Sequence, residues 1–312
     1  MGHQSEYSKA RQQFIVDQDN EFSDRLRRLQ AIFLALVIKY ITIEIEHESG
    51  TIKPTIRNYT KARKFADQVS VEFYEAGASE FIRWIALNYQ KLFVLNVQYF
   101  REVVGRDIQA IADRIWKAYT QRIGYNYDKG SFIEGAFLLG LIAIPDTLEG
   151  IKRLITRAIQ IGDSISDLAT TIRDWLLPKP NQKNGKIETE IGERASDTYA
   201  HFDRDTGMLM SDDLQLNFAI YQGGIIKTTR DFCYVRNDLV FSREQIEKFG
   251  TPADPFGGYI DKSIGYFAGK SDPYNPFRDL GGYNCRHMLD WISDELAEQL
   301  LGSQRSDGIV LG

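Results

Sequence analysis

The chain has 312 residues, 43% hydrophobic and 26% charged, a balance that provides for an ample core and excludes wholesale disorder. A net charge of -5 excludes a protein that holds nucleic acid on a broad basic surface, because such binding rests on phosphate neutralisation. The charge is uneven: residues 191–312 carry 12 Lys and Arg against 19 Asp and Glu, leaving 26 against 24 for residues 1–190, so any contact with DNA is assigned to the N-terminal half.

In chain order, residues 5–125 read as helix almost throughout, with heptad-like apolar spacing and Pro54 as their single proline. Leu26, Leu29, Phe33, Leu36, Val37 and Tyr40 give the first helix its apolar face, and the segment 49–58, with Gly50 and Pro54, ends it. A second helical block, 61–119, carries Phe81, Ile85, Leu92, Leu95 and Tyr99 as one stripe, with Gly105 as a kink. Its aromatics, among them Trp84, Tyr89, Phe93, Phe100 and Trp116, exceed what one stripe can bury. They read as a multi-helix core in preference to an exposed partner surface.

Two apolar runs, 31–38 and 135–145, fall far short of the ~20 residues that cross a bilayer and read as buried helix segments. A membrane-active role for 135–145 is the lesser alternative. No leader of the secretory kind is recognised, which places the chain in a cytoplasm. Beyond the turn-rich 124–130, residues 147–159 have helical apolar spacing ended by Gly162, and Ser164 to Asp167 is a capping box for the next short helix. Pro178 to Lys186 is a linker. The expected organisation is a helical domain 1–125, a short-helix connector 126–187 and a small α+β domain 188–312, which makes the fold α+β overall and mostly α.

Within the last domain a helix is predicted over 188–221, after which the periodicity changes from about four to two. Phe232 to Phe241 reads as a β-hairpin around Asn237-Asp238, with Cys233 pointing inward. Ser242 to Gln245 is a capping box. Residues 251–282, with four of the eight prolines and six glycines, read as a long irregular loop, and a final helix is predicted over 288–301 with Gly302 as its stop. Polar residues gather at three junctions: Thr229, Arg230, Asp231 and Cys233; then Arg236; then Asn284, Cys285, Arg286 and His287.

Several chemistries suit Cys233, Cys285 and His287. The preferred reading is structural, with buried thiols packed as small hydrophobes and the polar neighbours satisfying loop backbone. Structural zinc is an alternative, with His201 or Asp231 as a fourth ligand, although the Cys-x51-Cys-x-His spacing matches no standard zinc pattern. A disulfide is opposed by a reducing cytoplasm. A Cys nucleophile with His287 as base lacks an orienting Asn or Asp at a diagnostic spacing.

The order of these elements, a Thr-Arg-Asp-Phe-Cys run, a hairpin, a capped helix and a late Asn-Cys-Arg-His, resembles the C-terminal domain of Mu-like phage minor head proteins, also called head morphogenesis proteins. The matching positions are Arg194, Asp197, Thr229, Arg230, Cys233, Val240, Asn284, Cys285, Arg286 and His287, within 188–292. Cys233 stands where many members have histidine, and His287 where many have a final cysteine. The resemblance implies a helical N-terminal half and a virion component present in few copies, acting in head morphogenesis, DNA packaging or genome delivery; the residues themselves argue against an enzyme. It implies a place at the portal vertex or in the capsid interior, after assembly in the host cytoplasm. The partners it implies are the portal protein, assigned to the helices of 5–125, and the major capsid or scaffold protein. Competing readings are an internal scaffold or cargo protein and a Cys/His-dependent enzyme or toxin-like effector.

Overall fold

The computed structural model describes residues 5–133, 135, 137–179, 182, 184–195, 198–254, 256, 274–282 and 285–306, with the side chains of 193–195 and 305–306 excepted. It is 67% helical with small antiparallel sheets, the α+β, mostly α class expected. The first part runs α1 (Glu6–Ile43), β1 (His47–Glu48), β2 (Thr51–Ile52), α2 (Ile56–Phe73), a π-helical turn Tyr74–Ala78, α3 (Ser79–Val104) and α4 (Gln109–Ile123). Then come β3 (Tyr125–Asn126), β4 (Ser131–Phe132), α5 (Phe137–Leu141), α6 (Pro145–Ile161), α7 (Ile165–Leu176) and α8 (Lys186–Ala195). The last part is α9 (Thr198–Leu214), β5 (Phe218–Gln222), α10 (Asp231–Tyr234), β6 (Leu239–Ser242), α11 (Arg243–Glu247), β7 (Met288–Ile292) and α12 (Asp294–Ser306). None of these helices is long and apolar enough to cross a membrane.

Two compact units cut across the chain-order division at 125 and 187. One comprises 20–86 and 123–196, the other 1–19, 87–122 and 197–312. The first is helical. Thr55 caps α2 by accepting from the Asn58 amide, and Ala62, Phe65, Val69 and Phe73 bury one face of that helix at 3–4 residue spacing. Phe33 of α1 meets Phe73 edge-on at 5.2 Å. In α6 Pro145 begins the helix and Gly162, at φ 66°, ends it in the left-handed conformation that a side chain disfavours. Ser164 caps α7 as expected, accepting from the Asp167 amide, but the Ser164 amide donates to Asp163, so the box is not reciprocal.

The other unit contains a three-stranded antiparallel sheet in the order β6-β5-β7. Central β5 pairs Ala219 with Phe241 and Trp291, and Tyr221 with Leu239 and Leu289. On the opposite face Ile220, Val240 and Ile292 are covered by Ala297, Leu296 and Leu300 of α12. The aromatic surplus of α3 proves to be core: Tyr89, Phe93, Tyr99 and Phe100 are buried, and Tyr89 stacks on Phe202 of α9 at 4.5 Å.

Five local expectations are corrected. The helix predicted over 188–221 is two helices followed by β5. The hairpin predicted over 232–241 is absent: Asp231–Tyr234 is a short helix, and β6 finds its partner in β5. The turn at Asn237-Asp238 is real, with Asp238 at φ 64° and its amide on the Tyr221 carbonyl at 2.7 Å. The final helix starts at Asp294 and continues past Gly302, and Met288–Ile292, read as its first turns, is instead a strand. Gly105, at φ 62°, follows the end of α3 and does not kink a continuing helix. The run at 135–145 yields only the five-residue α5 before Pro145 opens α6.

A buried thiol and imidazole cluster

The residues that form the site lie where β5 leaves the sheet and β7 joins it. Tyr221 points from β5, Gly223 follows that strand, and Cys285 and His287 immediately precede β7. Cys233 arrives from α10. Thr229 shapes its approach: the Ile226 amide donates to the Thr229 hydroxyl at 2.8 Å and the Thr229 amide returns to the Ile226 carbonyl at 2.9 Å. Arg230 is the N-cap, its carbonyl accepting from Cys233 and Tyr234, and extended backbone there turns Cys233 inward.

Cys233, Cys285 and His287 are buried, and their potential ligand atoms all lie within 4.8 Å of one another. The sulfurs are 3.7 Å apart and the cysteines are free. Cys285 Sγ is 3.9 Å from His287 Nδ1, while the Tyr221 hydroxyl lies 3.2 Å from Cys233 Sγ and 4.0 Å from Cys285 Sγ. The hydrogen bond between the thiols separates their acidities. It lowers Cys285, with help from His287 and Arg204 against burial, and raises Cys233, where burial adds to the effect. Burial, followed by the nearby cysteines, pushes the Tyr221 phenol well above its ordinary range.

Arg204 of α9 secures the segment that carries two of these groups. Its Nε donates to the His287 carbonyl at 2.9 Å, Nη1 to the Arg278 carbonyl at 2.9 Å, and Nη2 to the Cys285 carbonyl. Two glycines permit the close approach. A Cβ on Gly281 would lie 2.3 Å from Cys233 Sγ, and one on Gly223 would lie 2.5 Å from His287 Cα. Gly281→Ala and Gly223→Ala are each expected to destabilise the fold by about 1 to 3 kcal/mol through overpacking. They should also raise the reactivity of the two thiols toward an aromatic disulfide reagent; slow, unchanged reactivity would show that the cluster accommodates the methyl group.

The structure thus brings together Cys233, Cys285 and His287. Among the described residues it leaves Asp231, Arg236, Val240 and Arg286 outside the cluster. Arg236 is buried nearby, but its guanidinium is engaged by Asp254 and the rings of Phe232 and Phe249. Asp231 and Arg286 are exposed, and Val240 is a core residue of β6. Neither proposed fourth ligand joins the set: His201 faces Asp279 at 3.9 Å, and Asp231 stands in the first turn of α10. The side chain of Arg194, together with Asp197 and Asn284, lies outside the described residues, as does most of 251–282.

Sequence reasoning missed Arg204, Gly223, Gly281 and the role of Tyr221. The available signal was an arginine on the apolar side of α9, where a buried guanidinium must find acceptors. Comparison with family models, curated proteins and solved structures finds no match to the chain.

Proposed function

We propose that the chain is a structural protein of a phage virion. More narrowly, we read it as a minor head protein of the Mu-like kind, acting in head morphogenesis, DNA packaging or genome delivery at the portal vertex or inside the capsid. The observation that supports this reading is the convergence of motif residues 52 positions apart: Cys233 and Cys285 pack together with His287 in one buried cluster, and Thr229 and Arg230 shape the turn that delivers Cys233.

Exposures of 2% for Cys233, 3% for Cys285 and 5% for His287 favour an architectural role over an enzymatic one, because a nucleophile and base must be reached by substrate. Since the aromatic rings of α3 are largely interior, a portal contact by this helix falls on exposed residues such as Leu87 and Val94. The test is co-expression of the full chain with the portal protein of the same genome, followed by native mass spectrometry and by counting copies in purified particles. A defined complex and a few copies per particle are expected. Hundreds of copies would favour a scaffold or cargo protein, and the absence of both a complex and particle association would reject the virion reading.

A further inference from the structure

We propose that Cys233, Cys285 and His287 form a structural zinc site that fastens α10 to the start of β7. The proposal stands on the cluster's own geometry and is independent of the minor-head reading. Thiolate and imidazole are the ligands that zinc prefers, and two Zn–S bonds of about 2.3 Å at a tetrahedral angle place their sulfurs about 3.8 Å apart. The observed separation is 3.7 Å, whereas a disulfide requires about 2.05 Å.

Two further features set the ligands in place. His287 is buried with its Nδ1 3.9 Å from Cys285 Sγ, near the about 3.5 Å that separates a thiolate and an imidazole nitrogen sharing one zinc ion; its Nε2 finds no hydrogen-bond partner among the described residues. Gly223 and Gly281 also let the backbone come close to the ligands, since a Cβ would lie 2.5 Å from His287 Cα at the one and 2.3 Å from Cys233 Sγ at the other. The Tyr221 hydroxyl faces both sulfurs from the remaining side, and Arg204 fixes the backbone carbonyls of Cys285 and His287, so the ligand-bearing segment is held before a metal arrives. Binding one zinc ion converts two thiols to thiolates and releases two protons to solvent, with no change in oxidation state.

The linkage that results joins residues 52 positions apart in sequence, as a disulfide would, but forms in reducing surroundings. The full chain, purified under reductant and stripped with a chelator, would be titrated with Zn²⁺ in competition with a chromophoric chelator, and with Co²⁺ followed by absorption. The expected results are one zinc per chain, a higher Tm with zinc, and cobalt spectra showing thiolate charge transfer with the intense bands of tetrahedral coordination, a water molecule completing the three protein ligands. Cys285→Ser and His287→Gln should each weaken zinc binding by more than about 100-fold, since even residues outside the ligand set cost 10- to 100-fold. Because either variant could misfold, the unaltered chain decides. No bound zinc, with both thiols recovered as free and Tm indifferent to zinc and chelator, would overturn the proposal, as would recovery of a Cys233–Cys285 disulfide under reductant.

Discussion

Arg11→Ala is expected to lower the stability of the unit containing the sheet by about 3 to 5 kcal/mol, the usual consequence of leaving buried carboxylates without their cation. Arg11 lies in the first turns of α1 and is fully buried. It grips Asp203 of α9 through two bonds, Nε to Oδ1 at 2.9 Å and Nη2 to Oδ2 at 2.7 Å, and reaches Asp290 of β7 through Nη1 at 3.2 Å. Asn96 of α3 also donates to Asp203 at 2.8 Å, and the Ser8 hydroxyl donates to Asp290. Three helices and one strand therefore meet on a single guanidinium, whose face also lies 4.8 Å from the centre of the Tyr99 ring.

Removing Arg11 strands two buried carboxylates without a cation, which is why the effect exceeds that of an exposed ion pair. Urea denaturation gives the global change, and amide hydrogen exchange over residues 6–19 gives the local one. Arg11→Ala combined with Asp203→Ala should cost about 1 to 3 kcal/mol less than the sum of the single changes. Strict additivity would show that the two side chains act separately.

The deficit should also depend on pH. Burial raises the Asp290 carboxyl above its usual 3.8, against the opposing charge of Arg11 and the Ser8 hydrogen bond. A carboxyl whose folded pKa exceeds its unfolded one binds protons more readily when folded, so its contribution to stability falls as pH rises from the unfolded value through the folded one. Without Arg11 the folded pKa rises further. The deficit of Arg11→Ala should accordingly shrink as pH is lowered from neutrality toward 3.8, and a deficit constant with pH would locate the loss in packing alone.

The second large effect is expected at Arg236, where alanine should again cost about 3 to 5 kcal/mol. The guanidinium and the Asp254 carboxylate are paired with both side chains at 0% exposure. Arg236 Nη1 also donates to the Phe232 carbonyl at 2.7 Å, and the guanidinium carbon lies 3.9 Å from the centre of the Phe232 ring and 4.8 Å from that of Phe249. Asp254 in turn accepts from the Gly250 amide at 2.8 Å. One planar cation thus ties the end of α10 to the turn after α11.

Lysine should restore less than half of the loss, because a compact ammonium neither stacks on two rings nor presents the planar donor fork. Urea denaturation of Arg236→Ala and Arg236→Lys measures this. Cys233, one turn before Arg236, should become more reactive toward thiol reagents in the alanine variant; stability lost without that change would separate the pair from the thiol cluster.

Helix beginnings and ends were legible wherever the determining contacts are local. The stop at Gly162, the cap at Ser164 and the reciprocal box of Ser242 and Gln245 appear as read, since each is decided by residues within four positions, whereas the start of α6 lies at Pro145 and its first amides donate to Glu190, 43 and 44 positions away. Met288–Ile292 was not legible. Its residues are all buried, so it has no polar face from which to tell a period of two from 3.6, and Asp290 is hidden only because Arg11 and Ser8 come to meet it. Phe232 to Phe241 failed for a related reason: its β-branched and aromatic content suits a strand, but the partner of β6 is β5, some twenty residues earlier.

The mostly helical class and the caps and stops of individual helices follow from the amino-acid order alone, because propensity, periodicity and capping act over a single turn; Cys233 does point inward, but from the short helix α10 and not from strand alternation, which would also have buried Val235, 40% exposed. Which strands pair, that Arg11 and Arg236 are interior, and that Cys285 and His287 stand against Cys233 instead of His201 or Asp231 were set by packing between distant elements. These are contacts between residues tens to hundreds of positions apart. Their formation depends on which elements can bury apolar faces together and on which buried charges then find partners, and no local pattern carries that information.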